Sequence, residues 1–467
     1  MYSVNFNGAI DKRLESRSKS LLKSMFAKCS TSIQSISQNR SDQIGNYRLL
    51  NNDSLSETIL IEEQQSRCGI QAAGKVILNI SDSSETNFIM HKKRLKPNSG
   101  LGYLDGSGIG FKMHLSIAID AKSHYIYGVS HLKIWAREGK GQLTKAEKSK
   151  LPSTERESYK WQEGCLVSNK VLSAATTVVQ IQDREGDIYE QIEGFWSEKN
   201  VFYIIRSRCD RQIEGDERLW GKTSQATPIG TYILSISGDS HGKGKKRDTV
   251  MEVRHCKVKI KRPSHLGGKG DAYTQDVSMI ETRELNPPEG AIPLVWRLLT
   301  SCCVESFDDA LQVIEWYCVR WYIEEVFRVV KKENLNVEGS ELESGYALRK
   351  LTIFAIDTAI KFFQLYTVRE VVQEGETLES ISSSFSKEEF SCLKELNNQL
   401  EGKTVKLKNP HKPNSNEWAL WVLARLGGWK GYSSQRKAGM TTIIAGLKEF
   451  YIIYRGWSMK MNCRGSD

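Results

Sequence analysis

The apolar residues follow three different patterns along the chain. Residues 1–65 have apolar positions at helical spacing, such as Leu21 and Phe26, and no strand pattern interrupts them. From residue 66 to residue 375, short branched apolar runs typical of buried strands alternate with helical stretches. Residues 376–467 are again helical in their spacing. The pattern therefore predicts an α/β protein with a mixed central domain (66–375) and a helical domain at each end.

Two of the apolar runs end close to an aspartate. Residues 76–80 come just before Asp82, and residues 177–181 come just before Asp183. They would be the first and fourth of five strands, and the other three are 113–119, 125–135 and 201–205. With helices before and after the fourth strand, this order is typical of a ribonuclease-H-like fold, whose first and fourth strands lie side by side. We therefore expect Asp82 and Asp183 to meet at one edge of the sheet.

A β-rich insertion in this domain is predicted at about 209–290. Alternating segments at 231–236 and 250–260 indicate strands, and the glycine- and lysine-rich loop 242–247 between them indicates a basic hairpin tip. Such a tip is either a contact for nucleic acid or an ordinary solvated loop. The strand predicted after the insertion contains Trp296.

Charged residues share one face of the long helix predicted for 306–332. Arg320, Glu324 and Lys331 follow Tyr317 by three, seven and fourteen residues. At about 100° per residue, the four side chains of a continuous helix fall within an arc of roughly 60° and extend over about 21 Å. The carboxylate could hold a metal and the cations could grip phosphates, although a solvated face with salt bridges is the alternative.

Three carboxylates, those of Asp82, Asp183 and Glu324, are the candidate metal ligands. Gathered at one point, they would repel one another strongly unless a cation neutralised them. Hard oxygen ligands favour Mg²⁺ or Mn²⁺, and a pair of such ions suits phosphoryl transfer.

Neighbouring acidic residues compete for these roles. Glu185 and Asp187 compete with Asp183, but we expect them in a first helical turn rather than at the rigid strand end. Glu325 competes with Glu324, and it would lie about 100° further round the helix. The strand-end aspartate and the glutamate on the shared face are therefore the preferred candidates.

Composition and charge agree with a nucleic-acid partner but do not establish one. The chain has 467 residues and a formal net charge of +10, which suits a polyanion and is also common in proteins with other roles. Its ten cysteines form no paired Cys-x-x-Cys cluster typical of zinc sites, and its eight histidines do not cluster at metal-ligand spacing. With no signal-peptide pattern and no long apolar run, we expect a cytoplasmic protein that does not enter a membrane.

Short motifs carry most of the candidate chemistry. They are Asp82-Ser83-Ser84, Asp183-Arg184-Glu185-Gly186-Asp187, the Tyr-two-Arg-three-Glu-six-Lys spacing from Tyr317 to Lys331, Asn46-Tyr47-Arg48, and Leu423-Ala424-Arg425-Leu426-Gly427-Gly428. Together they resemble bacterial cut-and-paste DDE transposases of the Tn-five type, and the Tyr-Arg-Glu-Lys spacing is the most specific of them. The resemblance covers nearly the whole chain.

The resemblance implies a DNA transposase that acts on double-stranded transposon ends and on target DNA. Asp82, Asp183 and Glu324 would be its Mg²⁺ (or Mn²⁺) ligands and catalytic residues. Water would nick one strand, the freed 3′-hydroxyl would form a hairpin with the opposite strand, and the reopened end would join to the target. Residues 1–65 would bind DNA, and residues 376–467 would form a homodimer on DNA, in the bacterial cytoplasm at the nucleoid.

The resemblance also implies a set of DNA contacts. These are Tyr317, Arg320 and Lys331 on phosphates of the transposon end and the hairpin, Trp296 on a flipped base, the basic pair Arg206 and Arg208, and Arg17 and Arg48 in the N-terminal module. A core position is the alternative for the tryptophan, and a plain helical bundle is the alternative for the N-terminal module.

Two other functions remain open from the sequence. The chain could be a transposase-derived DNA-binding protein with a regulatory role and no catalysis. The presence of all three candidate carboxylates argues against this alternative. It could also be a nuclease that cuts without joining, although plain hydrolysis does not need so extended a grip on DNA. Strand cleavage in the presence of Mg²⁺ separates the first of these from a transposase.

Overall fold

The structure is a computed structural model. It describes residues 4–95, 100–105, 108–137, 151–194, 199–236, 247–266, 276–290, 292–373, 385–413, 415–432 and 437–464. Of the predicted basic hairpin tip, residues 242–246 lie outside the described residues.

Helices form both ends of the chain and cover parts of its middle. The described α-helices are α1 (Lys12–Lys28), α2 (Ile33–Ile36), α3 (Arg40–Leu50), α4 (Glu57–Ala72), α5 (Tyr159–Val171), α6 (Tyr189–Gly194), α7 (Leu219–Gln225), α8 (Phe307–Cys318), α9 (Trp321–Arg328), α10 (Gly345–Gln373), α11 (Lys387–Leu400), α12 (Asn416–Leu426) and α13 (Met440–Arg464). A 3₁₀ turn at Arg184–Gly186 and a π-helical turn at Val329–Glu333 matter for the candidate site. The prediction of helical segments at both ends is confirmed.

Strands occupy the central part of the chain. They are β1 (Val76–Asn87), β2 (Gly102–Tyr103), β3 (Ile109–Asp120), β4 (Ile126–Trp135), β5 (Thr177–Gln182), β6 (Val201–Arg206), β7 (Pro228–Ile236), β8 (Arg247–Val258), β9 (Val277–Glu284) and β10 (Val295–Thr300). The sheet is mixed, with parallel and antiparallel pairs, so the protein is of mixed α/β class as the sequence predicts.

The chain divides into two compact units. Unit 1 comprises Met1–Ala72, Ser83–Gln142 and Glu324–Asp467, and unit 2 comprises Ala73–Asp82 and Leu143–Ile323. The three functional modules that the sequence suggests, with boundaries at residues 65 and 375, stay a prediction.

In unit 2 the strands follow the order β1-β5-β6-β10-β9-β8-β7. The first three are parallel, and the later pairs are antiparallel. Strands β7, β8 and β9 confirm that the predicted insertion is rich in β-structure. The expected neighbours, the first and fourth predicted strands, are β1 and β5, and they pair in parallel.

One face of this sheet carries the hydrophobic core of unit 2. Tyr203 and Leu299 on the strands are fully buried and pack with Ile192 of α6 and Leu219 of α7. Burying such side chains stabilises the fold by about 1.5–3 kcal/mol each. The core therefore holds the strand ends that carry the candidate site.

Unit 1 is organised around α10, which is buried on nearly all sides between residues 347 and 367. An apolar helix without a polar face is typical of a central position in a core. In the middle of the helix, Asp357 accepts a hydrogen bond from Arg67 of α4 at 2.9 Å, and Arg67 also binds Glu63 at 2.9 Å. Within the described part of the chain, no helix has both the length and the apolar character needed to cross a membrane.

Candidate active site

Two aspartates lie side by side where β1 and β5 pair. The parallel register runs from Val76 opposite Thr177 to Ser81 opposite Gln182, so Asp82 and Asp183 are the next residues on the two strands. Their side chains are 22% and 34% exposed, which leaves both carboxylates within reach of solvent and of a ligand. The prediction that these two strands are neighbours is confirmed, and their register places Asp82 and Asp183 at equivalent positions within unit 2.

Buried amides fix the register of these strands. Asn79 donates to the side-chain oxygen of Gln180 at 2.7 Å, and Gln180 donates to Asn169 of α5 at 2.6 Å. Both strand residues are fully buried, where an amide left without a partner costs about 1–3 kcal/mol. A slip of one residue would break this pairing, so the amides hold the two aspartates level.

The predicted end of β1 is wrong by several residues. β1 continues to Asn87, so Asp82 lies inside the strand and not just after it. The polar run Ser81 to Asn87 looks like a loop in sequence, but Ser81 and Thr86 are fully buried. Asp183, by contrast, directly follows β5 as predicted.

Each aspartate already has a protein partner in unit 2. The Arg320 guanidinium binds Asp82 Oδ2 at 3.0 Å, and the Tyr317 hydroxyl donates to Asp183 Oδ1 at 3.1 Å. A second cation, the Arg206 guanidinium at the end of β6, lies 4.0 Å from Asp183 Oδ1. Burial of Tyr317, together with the nearby Asp183 carboxylate, raises the pKa of this phenol to about 12, so it is a hydrogen-bond donor at neutral pH.

The helix that carries Tyr317 begins at a strong cap. The Ser306 side chain accepts from the backbone N–H of Asp309, and the Asp309 carboxylate accepts from the Ser306 N–H in return. Such a capping box satisfies two backbone donors at once. It anchors α8 at the end opposite to Tyr317, which is itself only 6% exposed.

The prediction of one continuous helix through residues 306–332 is wrong. α8 ends at Cys318, and the N–H of Arg320 bonds to the carbonyl of Tyr317 at 3.0 Å, a 3₁₀ spacing. After α9 the chain widens into the π-helical turn Val329–Glu333. The helical backbone is tighter than an α-helix at Arg320 and wider at Val329–Glu333. A constant rotation of 100° per residue therefore does not apply, and neither does the prediction that the four side chains share one arc.

Glu324 and Lys331 belong to unit 1. Glu324 lies in the first turn of α9 and is the first residue of that part of unit 1. The Lys331 ammonium lies 3.3 Å from Ser84 Oγ and 3.7 Å from the Glu338 carboxylate. Lys331 is thus placed beside the second residue after Asp82 along β1.

The competing acidic residues have other partners. The side chain of Asp187 is 1% exposed and accepts from the backbone N–H groups of Arg208 and Cys209, at 2.7 and 3.0 Å, and from the Arg211 guanidinium. Glu185 is 65% exposed with Lys160 at 3.5 Å, so it faces solvent. This favours Asp183 as the ligand, and it identifies Asp187 as a structural residue, a role that the sequence alone does not predict.

Glu325 is likewise engaged elsewhere. Its carboxylate accepts from the Arg328 side chain, three residues later, at 3.0 and 2.5 Å. An ion pair between residues three apart on a helix face is an ordinary surface contact. Glu324 therefore remains the preferred candidate of the two.

Trp296 and the basic pair lie on the neighbouring strands of unit 2. Trp296, on β10, is half-buried, and its ring centroid lies 6.4 Å from that of Tyr317. Trp296 is therefore not a fully buried core residue, which is the alternative that the sequence leaves open. Arg206 ends β6, and Arg208 two residues later is exposed, while its backbone N–H is held by Asp187.

The two N-terminal arginines differ in their surroundings. Arg17 of α1 forms an ion pair with Asp42 of α3, and its guanidinium lies over Gly45, where an added Cβ would come within 2.9 Å of it. Arg48 of α3 is exposed. The Arg17 side chain is nevertheless 36% exposed, so the DNA contact expected for each of these two arginines stays a prediction.

The donor set of the two aspartates suits a hard divalent cation. Two partly exposed carboxylates lie on adjacent strands, and oxygen donors with open positions are what Mg²⁺ and Mn²⁺ prefer. Among the residues that the structure describes, no three His, Cys, Asp or Glu side chains are already grouped as metal ligands. Comparison of the chain with models of known protein families finds no match.

Proposed function

We propose that this protein is a DNA transposase of the DDE class, built on a ribonuclease-H-like core. The observation that carries the proposal is the level placement of Asp82 and Asp183 on two adjacent parallel strands, each contacted by a side chain from residues 317–320. The element order β1, β3, β4, α5, β5, α6, β6 supports the core. The Tyr-Arg-Glu-Lys spacing supports the transposase class.

In this proposal Asp82, Asp183 and Glu324 hold Mg²⁺ or Mn²⁺. The divalent ions would neutralise the reacting phosphate and promote attack by water or by a 3′-hydroxyl. The protein's own contribution is positional, because the rigid strand pair holds two of the three carboxylates level before any ligand binds. Removing one such group should therefore cost catalysis far more than it costs folding.

The cationic and aromatic side chains would hold the DNA. Arg320 offers a planar guanidinium that matches a phosphate with two donors, and the Tyr317 phenol stays protonated and so can donate to a phosphate oxygen. Trp296 beside the tyrosine offers a half-exposed face for a flipped base. Lys331, Arg206, Arg208 and Arg48 would add phosphate contacts on a duplex bound by a homodimer.

The test uses the purified full-length protein, Mg²⁺ and duplex DNA that carries the sequences flanking its gene. We expect nicked strands and then hairpin ends on a denaturing gel. Asp82→Asn, Asp183→Asn and Glu324→Gln should each slow nicking roughly 100- to 1,000-fold, since each removes several kcal/mol of transition-state stabilisation.

Matched controls come from the neighbouring carboxylates. Glu185→Gln and Glu325→Gln remove equal charges two residues and one residue from the proposed ligands, and they should leave nicking within about twofold, as expected for surface groups. If the ligand variants nick as fast as the controls do, the assignment is wrong.

A regulatory DNA-binding protein without catalysis is the second candidate. The observation that favours it is that Asp82 and Asp183 are already paired with Arg320 and Tyr317 in unit 2. It predicts salt-dependent DNA binding with no Mg²⁺-dependent cleavage. Hairpin products in the experiment above would exclude it.

A further inference from the structure

The side chains that contact the two aspartates form a continuous group in unit 2. The Arg320 guanidinium carbon lies 6.0 Å from the centre of the Tyr317 ring, and that ring lies 6.4 Å from Trp296. Arg320 binds Asp82 and Tyr317 binds Asp183. Arg320 and Tyr317, the proposed DNA-binding residues, thus contact the carboxylate oxygens that would bind a metal ion.

A guanidinium and a divalent cation compete for the same carboxylate oxygen. Both interact with Asp82 through charge, and Arg320 lies 3.0 Å from Oδ2, so a metal ion there must displace it or share the group with it. The side chains of Arg320 and Asp82 are 14% and 22% exposed, so each is partly accessible to solvent.

A DNA phosphate offers Arg320 an alternative partner. Arginine binds phosphate oxygens with two parallel donors, which makes phosphate at least as good a partner as a single carboxylate oxygen. Tyr317 can likewise move its hydroxyl hydrogen bond from Asp183 Oδ1, which it now contacts at 3.1 Å, to a phosphate oxygen. Transfer of these two contacts would remove two groups that compete with a cation for the aspartate oxygens.

We propose that Arg320, assisted by Tyr317, is a latch that couples metal binding to DNA binding. Without DNA the latch holds Asp82 and Asp183 and weakens metal binding. With DNA it turns to the phosphates and no longer competes with a metal ion for these carboxylates. This inference rests on the proposed function, and it adds that the ions bind more tightly when DNA is present than when it is absent.

The coupling has a measurable size. Coupling between two binding sites typically amounts to a factor of about 5 to 150, and by linkage each ligand tightens the other by the same factor. A charge-assisted hydrogen bond at a partly exposed site lies in the lower part of this range, so we expect about tenfold. Arg320→Gln should therefore bind metal about tenfold more tightly than wild type in the absence of DNA.

The first experiment titrates the full-length protein with Mn²⁺ and follows the free ion by electron paramagnetic resonance. Arg184→Gln is the matched control, because it removes the same charge from an exposed side chain next to Asp183. We expect tighter Mn²⁺ binding for Arg320→Gln and little change for Arg184→Gln. Arg320→Lys keeps the positive charge but lacks the planar guanidinium with its paired donors. Its Mn²⁺ affinity should lie between those of wild type and Arg320→Gln. Equal tightening in Arg320→Gln and Arg184→Gln would show a general charge effect and overturn the latch.

The second experiment measures the affinity of a fluorescently labelled short duplex of mixed sequence with and without Ca²⁺ at constant ionic strength. Wild type should bind the duplex more tightly with Ca²⁺, and this gain should shrink in Arg320→Gln and vanish in Asp82→Asn. A gain that persists unchanged in Arg320→Gln contradicts the latch while leaving the transposase proposal intact. Failure of wild type to bind Mn²⁺ with or without DNA would overturn the transposase proposal together with the latch. Thermal unfolding of each variant confirms that it is folded.

Discussion

Replacing Asp187 by alanine should destabilise unit 2 strongly, although this residue lies outside the proposed ligand set. Its side chain is 1% exposed and accepts from the N–H of Arg208 at 2.7 Å, from the N–H of Cys209 at 3.0 Å and from the Arg211 guanidinium at 3.0 Å. These contacts join the turn after β5 to the chain that leaves β6. Loss of the carboxylate leaves two backbone donors without their acceptor, and of its contacts with Asp187 the Arg211 guanidinium keeps only the one to the backbone carbonyl, at 2.8 Å.

The expected loss is about 3–5 kcal/mol, the usual cost of breaking a buried ion pair by removing one partner. The side chain of Arg211 is 11% exposed, so water can reach part of the guanidinium and the cost should fall towards the lower end. In a domain of 150–250 residues each kcal/mol shifts the melting temperature by about 2–4 °C, so we expect a shift of about 10 °C. Differential scanning calorimetry of the full-length protein measures it.

Glu185→Ala is the control, because Glu185 lies in the same turn and its side chain is 65% exposed. It should change the unfolding free energy by no more than about 0.5 kcal/mol. Adding Arg211→Met to Asp187→Ala should restore part of the stability, since the unpaired buried charge is then removed. The reasoning fails if Asp187→Ala melts at the same temperature as Glu185→Ala.

Three further predictions concern other residues of unit 2. The Arg247 guanidinium holds the pKa of Glu284 at about 2, well below its ordinary 4.5, so this carboxylate stabilises the fold at neutral pH and loses that contribution as the pH falls through 2. Glu284→Gln should flatten the pH dependence of the unfolding free energy between the folded-state pKa and the ordinary pKa of Glu284. An unchanged slope would show that this carboxylate does not stabilise the fold in this way. Trp296→Ala should reduce hairpin formation about 5- to 150-fold, since base stacking contributes about 1–3 kcal/mol, and it should affect first-strand nicking less. If a denaturing gel shows equal losses of nicked and hairpin products, Trp296 has no stacking role. Arg208→Ala should lower the slope of log affinity against log salt by about one, as for the loss of one phosphate contact, and a slope equal to that of wild type would exclude the contact.

The strand pair could be predicted from the sequence because its signal is local. The branched runs that become β1 and β5 are short, apolar and each followed closely by an aspartate, and the order of elements predicts that they are neighbours. The length of β1 could not be predicted. Its second half is polar, and only the tertiary burial of Ser81 and Thr86 shows that the strand continues past Asp82.

The helix carrying the Tyr-Arg-Glu-Lys spacing shows the opposite case. Its residue spacing is regular in sequence, so a continuous helix was the natural prediction. The backbone instead tightens at Arg320 and widens after Arg328, and neither glycine nor proline marks these places. Such irregularities depend on packing, which a spacing argument does not contain.

The structural role of Asp187 has no clear signal in the sequence, for a related reason. Its partner Arg211 is 24 residues away, and its other two partners are backbone N–H groups that have no signature in sequence. The aspartate itself gives one signal, since it follows the Gly186 turn directly after the strand-end Asp183. That signal is equally compatible with a helix cap, so only the folded contacts separate the two roles.

The shared register of β1 and β5 constrains how this sequence can change. Successive side chains of a strand point to opposite sides, so inserting or deleting one residue between Val76 and Asp82 would send that carboxylate to the other side of the sheet. Length changes in the connections outside the two strands carry no such penalty. Natural variants should therefore differ freely in their loops while the number of residues from each strand start to its aspartate stays the same.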